Sequence, residues 1–431
     1  MRCKIKAIYN ITKNFSVLVA AQFVYMFLNF ITYILIARHL GANGFGKISL
    51  VISFVWLFNA FVDFGLTELL VREIAGKSLS IKKKYTSVVL GLRIIISAII
   101  YGLIVACSLG LPHLQRTFGL NLILGLALMC TCFTYFLKSI FRAFEKMEYE
   151  AASLVVEAVL KILIISAVLK WTSLGVLGVA QGILIASFVT TVFSVIMCQK
   201  KFLKLSVTFS KDLFGSLLKK GTPFLVSTLF YALSFKIDVV MVSWMLGDKM
   251  TGLFSASVRI VEPMLTFPLL AAVVLFPVIS RLSHDSIKNL RRVSYVSLRI
   301  LLLAGIIMAL GLFLGMPYIV SIFFGREFLG SILAGRILSL CLIPFCLKFF
   351  LDRFILVIRR PKVMFVTYTV GTFLNILFNL YLIPHIGYAG AAISTLFSEV
   401  VIVILNLYWI KRYMPEVSFL ELKKEPVALG I

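Results

Sequence analysis

Apolar residues run through this chain in blocks of about 20, and within the blocks they cover the whole circumference of a helix rather than one face. Segments 94–111, 122–137, 301–316 and 400–410 show this best. Strands of a membrane barrel would alternate apolar and polar positions, and these segments do not. Twenty apolar residues is about the length that crosses a bilayer core, where the backbone must satisfy its own hydrogen bonds inside a helix. The pattern predicts an all-α integral membrane protein with about twelve transmembrane helices. The spans fall near 14–37, 46–70, 86–110, 118–138, 151–169, 175–197, 221–246, 252–279, 297–323, 331–351, 363–384 and 388–410.

Composition agrees: 61% of the 431 residues are hydrophobic and 14% are charged, a balance that needs lipid as solvent. The net charge of +25 would suggest nucleic acid in a soluble protein, but here the bases are divided among short connections. One side holds Arg2, Lys4, Lys6 and Lys13, Arg72, Lys77 and Lys82–Lys84, Lys138, Arg142 and Lys146, Lys200, Lys201, Lys204, Lys211, Lys219 and Lys220. It continues with Arg281, Lys288, Arg291 and Arg292, Arg353, Arg359, Arg360 and Lys362, and Lys411, Arg412, Lys423 and Lys424. The other side has little beyond Arg38, Lys47, Arg116, Lys170, Lys249, Arg326 and Arg336. Short basic loops stay in the cytoplasm, so both termini are expected there, and no nucleic-acid partner is expected.

The apolar run 15–37 is too long for a cleaved signal and reads as an uncleaved first span. The seven cysteines show no disulfide or metal spacing, and His39, His113, His284 and His385 are scattered one per connection. Gly41-Ala-Asn-Gly-Phe-Gly46-Lys47-Ile48 approaches a phosphate loop, but Ile48 stands where a hydroxyl should hold magnesium. No strand precedes it. A tight glycine turn between two helices is the better reading, and no cofactor or catalytic motif is expected.

The same glycine pattern occurs twice. Leu40-Gly41, Gly46 and Ser49 return as Leu246-Gly247, Gly252 and Ser255, and Leu92-Arg93 returns as Leu298-Arg299 in the same register. Gly175, Gly178 and Ala180 match Gly387, Gly390 and Ala392 at a slightly longer offset. Two pseudo-symmetric six-helix bundles of the same orientation follow, over 1–205 and 221–431, with a substrate path expected between them. The connection 206–220 carries Phe209, Leu213, Phe214, Leu217 and Leu218 on one helical face, which predicts a cytoplasmic interfacial linker helix.

Charges inside the spans are costly and seldom face lipid. Glu157 and Lys161 form an i,i+4 pair that reads as packing, whereas Lys236 and Arg259 lie in the first two helices of the second half, among prolines 223, 263, 268 and 277. A cationic cavity suits an anionic cargo.

The ordered set Leu40-Gly41 to Ser49, Phe61-Val-Asp63-Phe-Gly65-Leu66, Val71-Arg72-Glu73-Ile74-Ala75, Phe141-Arg142-Ala143-Phe144-Glu145, Ile237-Asp238 to Gly247, Gly252 to Arg259, Phe276-Pro277 and Gly387 to Glu399 resembles Wzx-type polysaccharide flippases. These belong to the multidrug/oligosaccharidyl-lipid/polysaccharide exporter superfamily. The resemblance implies a MATE-like fold, residence in the bacterial inner membrane, and a cargo of undecaprenyl-pyrophosphate-linked oligosaccharide for O-antigen or capsule. A polysaccharide polymerase complex is the protein partner it suggests, beside membrane lipids. On this reading Arg259 and Lys236, with Arg38 and Arg93 as lesser candidates, hold the anionic headgroup, since guanidinium donates to phosphate in a bidentate fork. Asp238, Glu262 and Asp63 are candidates to orient those cations or to carry a coupling H+ or Na+. A cation-coupled drug antiporter of the same superfamily and a membrane-bound glycan polymerase are the alternatives.

Overall fold

The computed structural model describes residues 2–358, 360–415 and 417; Arg359, Lys423 and Lys424 lie outside the described residues, as do the side chains of residues 2–15, 211, 212, 223, 226, 227, 231, 235, 284 and 361, among them Lys211, Pro223 and His284. Among the described residues the regular structure is helical throughout. The helices are α1 (Arg2–Leu57), α2 (Asn59–Asp63), α3 (Leu66–Ile74), α4 (Leu79–Gly110), α5 (Pro112–Gln115), α6 (Phe118–Ala143), α7 (Met147–Trp171) and α8 (Gly175–Lys201). They continue as α9 (Lys211–Leu246), α10 (Asp248–Val261), α11 (Thr266–Asp285), α12 (Ile287–Ile319), α13 (Ser331–Leu340), α14 (Leu342–Val357), α15 (Pro361–Ile386) and α16 (Tyr388–Tyr413).

Nine helical stretches among the described residues are long and apolar enough to cross a membrane, ten if the bent pair Thr228–Ser234 and Lys236–Leu246 is one span. The first stretch, Ser16–Ile74, is not straight, because Gly41 (φ 65°, ψ −179°) turns α1 into two arms. That is the glycine turn expected between the first two spans. Large apolar side chains such as Ile99, Leu163, Leu303, Leu314 and Phe373 are exposed, as lipid-facing residues must be and as few residues of a soluble protein are.

By packing, the chain forms two compact units, Met1–Gly252 and Leu253–Ile431. In the first, Leu66, Leu70 and Ile74 of α3 meet Val88 and Leu92 of α4, Phe136, Ile140 and Phe141 of α6, and Leu217 of α9. Leu213, Phe214 and Leu218 pack partly buried against them, so this part of the linker's apolar face rests on protein while Phe209 stays exposed. The segment before α9 is tied down too: the Thr208 N–H donates to the Ser87 carbonyl at 3.2 Å, and Lys220 pairs with Glu73 at 3.0 Å. In the second unit, Phe350, Phe354 and Ile355 of α14 pack with Ile279 of α11, Leu290 and Leu301 of α12, and Val403 and Ile410 of α16.

The sequence repeat has a conformational counterpart. Gly247 (φ 80°, ψ −177°) repeats the backbone of Gly41, and Gly175 and Gly387 both take positive φ, a region that side-chain-bearing residues avoid. Ser49 and Ser255 are both buried, and neither hydroxyl has a hydrogen-bond partner. The boundary between packed units lies inside the second copy of the repeat, because α9 packs with α1, α2, α3 and α4.

Candidate functional site

The chemistry of the first unit begins where the helix breaks between α2 and α3. Phe64 (φ 48°) and Gly65 (φ 70°) turn the chain, and a Cβ on Gly65 would stand 2.8 Å from the Gly221 carbonyl oxygen of α9, so glycine alone fits. The turn holds Asp63 against Arg93 of α4. The Arg93 Nη2 donates to Asp63 Oδ1 at 2.6 Å and to Thr67 Oγ1 at 3.0 Å, and Nη1 donates to the Cys132 carbonyl of α6. The Thr67 hydroxyl also donates to Asp63. Arg93 is fully buried, with its guanidinium 5.6 Å from the Phe136 ring centroid, and Asp63 is the more open partner at 17% side-chain exposure. The two residues predicted separately, one as a headgroup ligand and one as an ion carrier, are thus one ion pair whose hydrogen bonds join α2, α3, α4 and α6.

A second group was only half legible. Lys161 Nζ lies 2.7 Å from Glu157 Oε1, the i,i+4 pair expected on α7. Glu157 Oε2 also faces Lys138 of α6 at 3.6 Å, and the Tyr25 hydroxyl of α1 donates to Oε1 at 3.5 Å. Lys138 was placed among the cytoplasmic bases, yet its side chain is 2% exposed. α6 runs on to Ala143, past the end expected near residue 138; a helix apolar on all sides carries no periodic mark of its end. The exposed end of α6 is marked instead by Arg142, which grips Glu150 with Nε at 2.8 Å and Nη2 at 2.7 Å and reaches Glu68 at 3.3 Å.

The second unit holds a related group. Lys348 of α14 pairs with Glu399 of α16 at 2.6 Å, and both side chains are nearly inaccessible. One turn along α14, the Asp352 carboxyl accepts from the Tyr368 hydroxyl at 2.6 Å and from Asn406 Nδ2 at 3.0 Å. Lys138 and Lys348 stand 210 positions apart, between the offsets of the two glycine matches, so the repeat places a buried lysine at corresponding points of both halves. Extending the repeat across α6 and α14 was the signal that would have found them.

The remaining candidates are divided between the units. Arg38 is exposed near the end of the first arm of α1, and on α9 Lys236 is half-buried and Asp238 buried. In the second unit Arg259 and Glu262 pair at 2.9 Å at the end of α10, where Pro263 starts the short turn Glu262–Leu265 that re-aims the chain into α11. Among the described residues no group of three or more His, Cys, Asp or Glu side chains could hold a metal. The buried charges described here form pairs and triads on packed helices, the form in which a bilayer interior tolerates charge.

Known proteins share this plan. The polysaccharide biosynthesis protein family matches residues 11–283, and the MatE family matches residues 223–381. A Shigella dysenteriae protein assigned as an O-antigen transporter is 26% identical over 236 residues, a match spanning 53% of this chain and 57% of that one. An uncharacterised membrane protein of Methanocaldococcus jannaschii is 24% identical over 424 residues, covering 91% and 82% of the two chains. Among solved structures, an inward-facing multidrug resistance MATE family transporter superposes with a TM-score of 0.76 at 16% identity, over 91% of this chain and 95% of that one. The lipid II flippase MurJ in an inward closed conformation gives 0.75 at 19% identity, over 91% and 87%. With more than half its length matched, this chain belongs to the polysaccharide biosynthesis protein family, and it shares the helical fold of the MATE transporter and of MurJ.

Proposed function

We propose that this protein flips a polyprenyl-pyrophosphate-linked oligosaccharide from the cytoplasmic to the periplasmic leaflet of the bacterial inner membrane, for surface polysaccharide synthesis, by alternating access. The observation that carries this reading is the family match over residues 11–283, to which the O-antigen transporter relative adds a cargo class. Physical chemistry supports it: a pyrophosphate cannot cross hydrocarbon bare, and bases on helices supply the compensation. In this reading Arg259 and Lys236 hold the pyrophosphate, with Arg38 assisting, while the polyprenyl tail stays in lipid. Arg93 ranks below them because its guanidinium is fully buried among Asp63, Thr67 and the Cys132 carbonyl, whereas Arg259, though paired with Glu262, keeps some exposure. Asp238, Glu262 and Asp63 orient the bases or carry a coupling H+ or Na+. The halves 1–205 and 221–431 are the moving parts joined by 206–220, the termini are cytoplasmic by the distribution of bases, and a polysaccharide polymerase takes the product.

The test is genetic and biochemical. Arg259→Ala and Lys236→Ala variants inserted at wild-type levels should lose surface glycan and accumulate lipid-linked units on the cytoplasmic face. Full surface glycan from both variants would refute the cationic path. The MatE match over residues 223–381 favours a second reading, a cation-coupled drug antiporter. Drug resistance conferred without any change in lipid-linked sugar would select it.

A further inference from the structure

The two glycine repeats do more than turn the chain; they touch each other. A Cβ on Gly46 would overlap the carbonyl oxygen of Asp248 and stand 2.9 Å from the Gly252 nitrogen. A Cβ on Gly252 would overlap the carbonyl oxygen of Ala42 and stand 3.2 Å from its Cα. Ala42 and Asp248 are themselves corresponding positions of the repeat, as are Gly46 and Gly252. Each glycine therefore presses on the carbonyl one turn before the other, a reciprocal contact with local two-fold character, and all four residues lie in the first packed unit.

The contact is backbone on backbone. Helices meet this closely only where a side chain is missing, and the groups that meet are Cα–H and carbonyl, which attract weakly and interlock nothing. At the contact itself no side chain interlocks, so the two backbones of the seam can part and re-form. Its surroundings also favour two states. Ser49, one turn past Gly46, is 1% exposed with a hydroxyl that finds no hydrogen-bond partner, a group that opening would hydrate. Gly41 and Gly247, at the head of the two helices that meet, share one backbone conformation, so both arms enter the seam in the same way.

We infer that this seam is a conformational latch: Gly46 on Asp248 and Gly252 on Ala42 close the extracytoplasmic end of the transport path, and the latch parts when that end opens. The inference rests on the alternating-access reading above. It predicts that a single methyl group at either glycine holds the end open.

The experiment uses the full chain in intact cells, with the native cysteines replaced and Ser49→Cys as the probe for a membrane-impermeant maleimide. In the closed seam the thiol is protected. Gly46→Ala or Gly252→Ala should each raise labelling at least about fivefold by shifting the population toward the open state. Gly102→Ala, on α4 with open space where its Cβ would go, is the control and should leave labelling unchanged. Size-exclusion profile and thermal transition confirm that each variant is folded. Unchanged labelling in both seam variants, an equal rise in Gly102→Ala, or failure of both seam variants to insert would each overturn the latch. Labelling reads conformation without cargo. A labelling rise with no accumulated lipid-linked sugar would therefore keep the latch and reject the flippase reading, while accumulation without a labelling rise would do the reverse.

Discussion

Replacing Asp63 by Asn is the sharpest perturbation of the buried charge pairs. The substitution keeps shape and hydrogen-bonding capacity but leaves the fully buried Arg93 guanidinium without its counter-charge. At 2.6 Å and an effective dielectric of about 20, the pair attracts by roughly 6 kcal/mol. Desolvation offsets much of that in the intact protein, yet removing one partner of a buried pair costs about 3–5 kcal/mol, because the remaining charge stays buried. The converse variant should cost less. Arg93→Met leaves Asp63, whose side chain is 17% exposed and can recruit water. The double variant Asp63→Asn/Arg93→Met should regain most of the loss, since no bare charge is left. For a unit of this size about 2–4 °C of transition temperature corresponds to 1 kcal/mol, so Asp63→Asn should melt roughly 6–20 °C below wild type in detergent or nanodiscs. The order Asp63→Asn, then Arg93→Met, then the double variant, from least to most stable, is the result the structure requires. A single Asp63→Asn variant melting within about 2 °C of wild type would refute the buried-pair account. Surface-glycan output measured on the same set separates packing from transport: a stable double variant without flux would mean that the pair also serves the cargo.

Two further tests address the second unit and the linker. Tyr368→Phe removes the hydroxyl that donates to the buried Asp352 carboxyl at 2.6 Å and should destabilise by about 1–3 kcal/mol in a thermal or chaotrope assay, because a buried acceptor loses a donor; unchanged stability would contradict that account. Leu217→Ala opens a cavity where α9 packs against α3, α4 and α6 and should cost about 2–5 kcal/mol, whereas a linker lying on lipid headgroups would tolerate the change with little loss, so a wild-type melting curve would contradict the packing described here.

The apolar runs determined the class of the fold without help, because a bilayer accepts little besides helices and closed barrels and these runs are not alternating. The glycine repeat was equally legible: Gly41 and Gly247 must be glycine to take positive φ, and that requirement is written in the residue itself. Distances between helices are not written there. Nothing in the neighbourhood of Lys138 marks it as buried, because its partner Glu157 sits on a different helix, and only the packing of α6 on α7 shows that a base near a span's end points inward. Asp63 and Arg93 were both visible as charges inside spans, but that they neutralise each other depends on the turn at Phe64 and Gly65. The apolar face of the linker was visible as well, but that Leu217 enters the space between α3, α4 and α6 was a tertiary matter. The same limit applies to the seam: its glycines could be found by reading, but that each lies on the other's helix follows from the approach of two backbones, which no local pattern encodes.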